Sequence, residues 1–308
     1  MMTVKTHPTA YARLIKNFDL KTDAALKAYT SFKVGGPADL LSIPESRAEL
    51  EQLLKAAADL DIPVTFFGGG TNLLITDKGI RGLVIIIRQL KSDIRIKKTD
   101  SDHHLLTVET GQHLSSLCRF ALDNSLTGLE FAAGIPGTVG GAIAMNAGTV
   151  KGQMSDVIES ITVWNPQTQK FVARKRDTLA FSYRNLDISD IIIEADFQLK
   201  KGDKKHIEAL FNQTLANKKN SQPVSQKSAG CFFKNPKTGM PAGELIEKSG
   251  LKGTRINDAM VSEHHANYIV NLNNATSCDI LALKQLVQKT VFEKFHINLE
   301  TEVRIEGE

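Results

Sequence analysis

The sequence predicts an α+β protein built from more than one lobe, and three observations carry that prediction. Residues 46–61, SRAELEQLLKAAADLD, place apolar side chains at helical spacing behind a capping serine, and lead through the apolar run IPVTFF into GGGTNLL. Between residues 82 and 202 the dominant pattern is short runs rich in β-branched residues. From residue 203 onward it turns to helices separated by short strands.

Taken in order, strand, helix, strand and glycine loop at the N-terminal end describe a small α/β lobe. GLVIII, SDIRIKK and HLLTVETG read as successive strands, and HLSSLCRFALDNS as a helix. VIESITVWN, QKFVARK and SDIIIEADFQLKKG follow as strands in mixed or antiparallel pairing. DKKHIEALFNQTLANKKN is a long amphipathic helix; after it come a helix at GELIEKSG, a strand at ANYIVNL, a helix at CDILALKQLVQKTVFEKF and a closing strand, ETEVRIEG. The polar LKKGDKK marks a boundary near residues 200–203, so three units are expected, 1–86, 87–200 and 201–308. There is no internal repeat and no low-complexity tract.

Composition narrows the function classes. A chain of 308 residues, 42% hydrophobic and 23% charged, has the make-up of an ordinary globular protein. Its net charge of +4 is too mild for a nucleic-acid binder but suits small anionic ligands. Cys118, Cys231 and Cys278 lie far apart with no CxxC, which argues against a disulfide framework or a structural zinc site; no metal is expected. The opening MMTVKTHPTAYARLIKNFDL has no apolar core of the secretory kind, and no uninterrupted apolar stretch reaches membrane-spanning length. A cytoplasmic protein without membrane or nucleic-acid partners is expected.

Two glycine-rich segments stand out. FFGGGTNLL follows a strand directly, and its consecutive glycines let bare amides approach a ligand, with Thr71 and Asn72 adding donors suited to a diphosphate. Alone it would be a tight surface turn. GLEFAAGIPGTVGGAIAMNAG, residues 128–148, is almost uncharged and so rich in glycine that neither a normal strand nor a normal helix is expected there. It is also too apolar for a free loop, so something flat or another backbone must lie against it. Neither segment matches GxGxxG at a strand-to-helix junction, which argues against a dinucleotide fold of that type.

TSFKVGGPAD, GGGTNLL, GLEFAAGIPGTVGGAIAMNAG, FSYRNL, SAGCFFKNP, AGELIEKSGLKG and TEVRIEG occur in this order. Together they resemble the UDP-N-acetylenolpyruvoylglucosamine reductase family, flavoenzymes of bacterial cell-wall precursor synthesis, from about residue 30 to the end. The chain is similar to the shorter class, without the tyrosine-bearing insertion. The resemblance implies an FAD-binding fold of the vanillyl-alcohol-oxidase (PCMH) type, with two α/β lobes in 1–86 and 87–200, plus a C-terminal α/β substrate-binding lobe in 201–308. It implies that NADPH reduces FAD and leaves, and that the enolpyruvyl ether of UDP-N-acetylglucosamine then takes a hydride to become UDP-N-acetylmuramate. A monomer is expected, and no histidine fits a covalent flavin attachment, so FAD would be held non-covalently.

Carried over residue by residue, the resemblance assigns FAD contacts to Thr30, Ser31, Val34, Gly35 and Gly36; to Gly68, Gly69, Gly70, Thr71, Asn72 and Leu73; and to Gly134, Ile135, Pro136, Gly137, Thr138, Gly140, Gly141, Ala142, Asn146 and Gly148. Hydride delivery leaves negative charge beside a carboxylate, so the site needs donors aimed at those oxygens and an acid over the carbon. Arg184 of FSYRNL matches the family's charge-stabilising arginine, and Glu302 its partner, in a role that calls for a protonated carboxyl and hence a raised pKa. In an extended strand Glu300, Glu302 and Arg304 would share one face, opposite Thr301, Val303 and Ile305. Cys231 stands where the family usually has serine as the proton donor; a thiol can do that job, provided nearby cations do not ionise it. Tyr183, Lys219, twelve residues before Cys231, Asn235 and His265 fall on substrate-side positions. Lys227 replaces a proline common before SAG.

Read without the family, Cys231 is a buried filler, Arg184 a surface ion-pair partner and Glu302 part of a solvated strand face. Two rival functions stay open: another FAD oxidoreductase on the same fold acting on an alcohol or sugar, and a non-enzymatic sugar-nucleotide sensor.

Overall fold

The structure is a computed structural model that describes residues 8–90, 93–99, 102–237 and 239–308. The sequence reading of residues 1–7, and of Ser92 in SDIRIKK, lies outside the described residues.

The first lobe comprises α1 (Pro8–Asn17), β1 (Lys21–Ala25), β2 (Pro37–Ser42), α2 (Arg47–Asp59), β3 (Val64–Phe67), β4 (Leu73–Ile75) and β5 (Ile80–Ile86). The sheet runs β1-β2-β5-β3, antiparallel only at the β1 edge. Ser46 caps α2 by accepting from the Glu49 amide at 3.1 Å, as its sequence requires. Leu50, Leu53, Leu54 and Ala57, spaced three and four apart, form its buried stripe. Central β5 is buried on both faces: Leu83 and Ile85 enter the core under α2, Val84 and Ile86 the core on the other side. That is why GLVIII reads as an unbroken apolar run rather than an alternating one. α1, which the sequence reading does not single out, lays Leu14 into the α2 core.

The second lobe holds β6 (Arg95–Thr99), β7 (His103–Glu109), α3 (Leu114–Asp123), β8 (Leu126–Thr127), α4 (Val139–Ala144), β9 (Gly148–Thr149), β10 (Gly152–Gln153), β11 (Ile158–Asn165), β12 (Lys170–Lys175), β13 (Phe181–Ser182), β14 (Asn185–Leu186) and β15 (Ile191–Lys201). Its sheet runs β12-β11-β15-β7-β6, antiparallel throughout. Along β15, Ala195, Phe197 and Leu199 are buried while the residues between them are more exposed, the period of a half-buried strand. α5 (Lys204–Ser221) then packs Ile207 and Phe211 into this same core beside α3.

α4 corrects the expectation of no helix in residues 128–148. Thr138 caps it, accepting from the Gly141 amide at 3.3 Å, and its glycines let it sit against β7: a Cβ on Gly140 would lie 2.7 Å from Thr110 Cβ. Tertiary packing here overrides poor intrinsic propensity.

The third unit contains α6 (Ala242–Lys248), β16 (Arg255–Ile256), β17 (Ala259–Val261), β18 (Ile269–Asn271), α7 (Ser277–Phe295) and β19 (Arg304–Glu306). A capping box of Thr276 and Asp279 starts α7. Its core, from Ala229 to Val303, also takes Phe32, Val34 and Leu74 from the first lobe. β19 leaves its own unit altogether and pairs in parallel with β4. The expected extended strand over 300–305 is thus shorter: it begins at Arg304, Val303 is buried, and Ile305 is exposed instead of sharing Val303's face. Pairing of residues 301–303 with the Phe232 segment breaks the alternation.

Gly70 shows how tightly the first lobe's loop is packed. Its φ is +61°, and a Cβ would lie 2.1 Å from the Tyr29 carbonyl oxygen. Gly70→Ala is expected to lower unfolding free energy by about 1–3 kcal/mol, visible as a lower urea midpoint at unchanged slope; an unchanged midpoint would contradict this packing.

Candidate active site

The two glycine segments lie against each other. A Cβ on Gly69 would come within 3.0 Å of Gly137 Cα, one on Gly68 within 2.1 Å of Thr138 Oγ1, and one on Gly137 within 2.6 Å of Thr71 Oγ1. The object required against the uncharged segment is therefore the other segment's backbone. Among the described residues, the amides of Gly69, Gly70 and Thr71, and those of Gly137 and Thr138, make no hydrogen bond within the protein. Clustered free amides on close-packed backbone form a cradle for a polyanion such as a diphosphate.

Other residues of these segments are engaged within the protein. Thr30 is buried and donates to the Val34 carbonyl at 2.9 Å, and Val34 itself lies in the third unit's core. Ser31 ties two loops together, donating to Ser228 O at 2.6 Å and contacting Gly70 O at 3.3 Å. Gly35 and Gly36 pack against the Ile75 and Asp77 turn, and Leu73 is core. Ile135 packs beside the second-lobe core, which includes Ala142; Pro136 and Gly141 are exposed, and Gly148 presses on Gln153. Asn146 is buried with φ +39°. Its Nδ2 donates to Gln153 Oε1 at 3.1 Å and to Ser182 O at 3.0 Å, while its Oδ1 accepts from the Ser155 amide at 3.0 Å. These residues hold the cradle in shape.

Arg184 occupies the two-residue turn between β13 and β14, at φ +56°. That conformation costs a side-chain-bearing residue energy, and such strain gathers at functional sites. Its Nε donates to Glu302 Oε1 at 3.0 Å, with the two side chains 22% and 16% exposed. Tyr183, half exposed, stacks under the guanidinium at 5.0 Å. Glu302 is placed by its backbone: its amide donates to Phe232 O at 2.9 Å, and its carbonyl accepts from Asn72 Nδ2 at 3.1 Å. Burial pushes its carboxyl above the ordinary range, with Arg184 pulling the other way. The direction is the one expected from sequence.

Cys231 faces the same cluster. Burial, then the Glu302 charge, pushes its thiol up to about 11, outweighing a hydrogen bond from Tyr268 and the charges of Arg184 and Lys218. Nearby cations therefore do not ionise it, and it remains an acid with a proton to give. Lys219, by contrast, is exposed; it is Lys218 on α5 that reaches the site, against the Gly134 edge. Burial brings the Lys218 ammonium down to about 8, with Cys231 opposing and Arg184 adding to the effect. A one-residue step along a helix turns the side chain by about 100°, so sequence spacing alone does not separate the two lysines. Asn235 is spent on the Ala242 amide at the start of α6, at 3.0 Å. His265 lies edge-on to Tyr268, its Nδ1 accepting from the Asn267 amide at 3.2 Å. Lys218 and Tyr268 are the site residues that sequence reasoning missed. Lys218 stands beside another lysine in the polar last turn of a helix, and Tyr268 lies in the apolar strand ANYIVNL, so neither carries a sequence signal of its own.

A glycine-lined polyanion cradle joined to a part-buried arginine, carboxyl and thiol is the site of an FAD-binding oxidoreductase, and residues 38–170 match the family model described as an FAD binding domain. Residues 222–306 match the model described as UDP-N-acetylenolpyruvoylglucosamine reductase, C-terminal domain. UDP-N-acetylenolpyruvoylglucosamine reductase of Desulfosudis oleivorans is 41% identical over 298 residues, covering 94% of this chain and 95% of its own. The Clostridium novyi protein of the same name is 42% identical over 293 residues, 94% and 93%. The crystal structure of UDP-N-acetylenolpyruvylglucosamine reductase from Thermus caldophilus superposes with a TM-score of 0.80 at 35% identity, covering 94% of this chain and all of that one. The chain belongs to the UDP-N-acetylenolpyruvoylglucosamine reductase family.

Asn146 supports the β13–β14 turn from beneath. Asn146→Ala leaves the Ser155 amide without its partner and removes the side-chain donor to Ser182 O, and is expected to cost about 1–3 kcal/mol of stability. Substrate reduction should suffer more than flavin binding, because the arginine turn loosens while the glycine edges stay packed. Equal stability of the two proteins in urea would refute this role.

Proposed function

We propose that the protein reduces the enolpyruvyl ether of UDP-N-acetylglucosamine to UDP-N-acetylmuramate, with NADPH as reductant and non-covalent FAD as carrier. The observation that carries this reading is the part-buried Arg184–Glu302 pair, 3.0 Å apart, in one electrostatic cluster with the Cys231 thiol. A peptidoglycan-precursor role in the cytoplasm, as a monomer, belongs to the same proposal and is supported by family membership. Among the described residues no helix is long and apolar enough to cross a membrane.

The residues present fit FAD. The free amides of Gly69, Gly70, Thr71, Gly137 and Thr138 match a diphosphate, and the packed glycine edges leave no side chain between it and the backbone. When bound, FAD supplies the hydride, received beforehand from the nicotinamide. The chain's own residues do the rest. Hydride addition to the outer alkene carbon drives charge onto the substrate carboxylate. Arg184, cationic throughout, forks across those oxygens, and the protonated carboxyl of Glu302 donates to them. Cys231 gives its proton to the carbon that bears the charge. Lys218 adds positive charge for the substrate's anionic groups, and Tyr183 flanks the guanidinium. The rival oxidation of an alcohol or sugar calls for a base, and the cluster presents an acid instead.

Anaerobic mixing tests the assignment. Cys231→Ala is expected to keep reduction of the flavin by NADPH and to lose product formation, whereas Cys231→Ser retains turnover; equal loss of both half-reactions in the alanine protein would reject the donor role. A thiol pushed up to about 11 is fully protonated below that value, so its donating form is present across the neutral range and lost only as pH climbs toward 11. Substrate reduction should therefore show no alkaline fall near neutrality that disappears in Cys231→Ser; finding one would place the thiol's ionisation far lower.

A further inference from the structure

Cys231 joins a loose stretch of chain to a tightly held one. Before it stands Gly230, at φ +81°, with nothing within 4 Å of where a Cβ would lie. Among the described residues, no backbone–backbone hydrogen bond holds Ala229, Gly230 or Cys231. After it the chain is fixed at once. The Phe232 amide donates to Asn267 O at 2.7 Å, the Phe233 amide to Asn267 Oδ1 at 2.9 Å, and Asn267 Nδ2 donates to Phe233 O at 2.8 Å. Asn267 is 3% exposed, and its side-chain amide pairs with both polar groups of one backbone residue, as a neighbouring strand would. The opposite edge of the segment bonds to the residues around the carboxyl: Phe232 O accepts from the Glu302 amide at 2.9 Å, and Phe233 bridges Thr301. Asn267 is itself braced, because its amide donates to His265 Nδ1 at 3.2 Å and Ile269, two residues on, pairs with Val261 in the β17–β18 ladder. Both ends of a buried side chain are thus spent on the residue two beyond Cys231, and the reaction above gives Asn267 no part.

We propose that Asn267 is a positioning residue for Cys231: standing in for a strand beside residues 232–233, it fixes where the sulfur points relative to the Glu302 carboxyl. This rests on the donor role assigned to Cys231. Without the asparagine amide, the open turn at Gly230 runs into a segment held by side-chain-free contacts on the Glu302 edge and by the single Phe232 bond to Asn267 O. The Phe233 amide and carbonyl, buried with their residue, are then left unpaired, and the segment shifts to satisfy them. The thiol loses its direction, while Arg184 and the glycine cradle, which lie on other segments, keep theirs. Proton delivery to carbon depends on that direction. Holding the substrate's anionic groups does not.

The test compares the FAD-loaded protein with its Asn267→Leu variant, which keeps the branching of the side chain and removes both of its hydrogen bonds. With the flavin reduced beforehand by NADPH, product formation at saturating enolpyruvyl substrate should slow about tenfold, the worth of one buried hydrogen bond. The substrate concentration at half-saturation and the rate of flavin reduction by NADPH should not change. Equal loss of both half-reactions, or weaker half-saturation at an unchanged maximal rate, would overturn the proposal. If the unaltered protein forms no product, the proposed function fails and takes this inference with it; if it does and the variant matches it, this inference alone fails. A second measurement stands even where the variant does not fold. Hydrogen exchange resolved to single residues in the unaltered protein should find the Phe232 and Phe233 amides protected and the Gly230 and Cys231 amides exchanging faster; a rapidly exchanging Phe233 amide would show that Asn267 does not hold the segment.

Discussion

The parallel pairing of β19 with β4 is the contact through which the site is assembled. Arg304 to Glu306 align with Leu73 to Ile75, immediately after the first glycine loop, and Asn72 closes the junction by donating to Glu302 O while its own carbonyl accepts from the Arg304 amide. On its other side the same segment bonds to Phe232, the residue after Cys231. Glycine loop, carboxyl and thiol thus meet through backbone hydrogen bonds, which leave little freedom of register. Asn72 is also the rivet between its loop and the carboxyl; Nδ2 reaches Met145 Sδ at 3.3 Å, at the end of α4, as well as Glu302 O.

The charges inside this frame are balanced by burial rather than by pairing alone. Glu302 has a cationic partner at hydrogen-bond distance and is still pushed toward its neutral form; Lys218 is drawn toward neutrality at about 8; the thiol is held protonated. Each shift follows from removing water around a group that would otherwise ionise. Two of these shifts favour the forms that carry a hydrogen to donate, the carboxyl and the thiol, whereas the third eases loss of the proton from Lys218.

Most of the architecture was legible in the sequence because it follows from periodicity. The apolar run of β5 and the stripe of α2 each announce the surfaces they bury. What was hidden depends on tertiary contact. α4 forms from VGGAIA because its glycines fit against Thr110, a fact carried by no local propensity. The alternation expected around Glu302 fails because residues 301–303 answer to Phe232 rather than to a sheet. Which of Lys218 and Lys219 turns toward Cys231 is set by helix rotation, and the hydrogen bonds of the Asn146 side chain to Gln153, Ser155 and Ser182 depend on how the loops meet. Arg184, Glu302 and Cys231 were legible only as members of motifs, since each alone reads as an ordinary surface or core residue. The Tyr268 hydroxyl is invisible in a strand pattern that an apolar residue would satisfy equally well.

The junction of Asn72 with Glu302 spans 230 positions of the chain. During synthesis the first glycine loop leaves the ribosome long before the segment that secures it, so β4 waits with an open edge while the middle of the molecule folds. Such an edge invites pairing with other chains, and the nascent lobe has two shields against that: β4 is only three residues long, and it ends in a turn rather than a long extended ribbon. The carboxyl of Glu302 therefore reaches its place only after β19 has been made and paired with β4, later than the two glycine segments, which pack on each other without it.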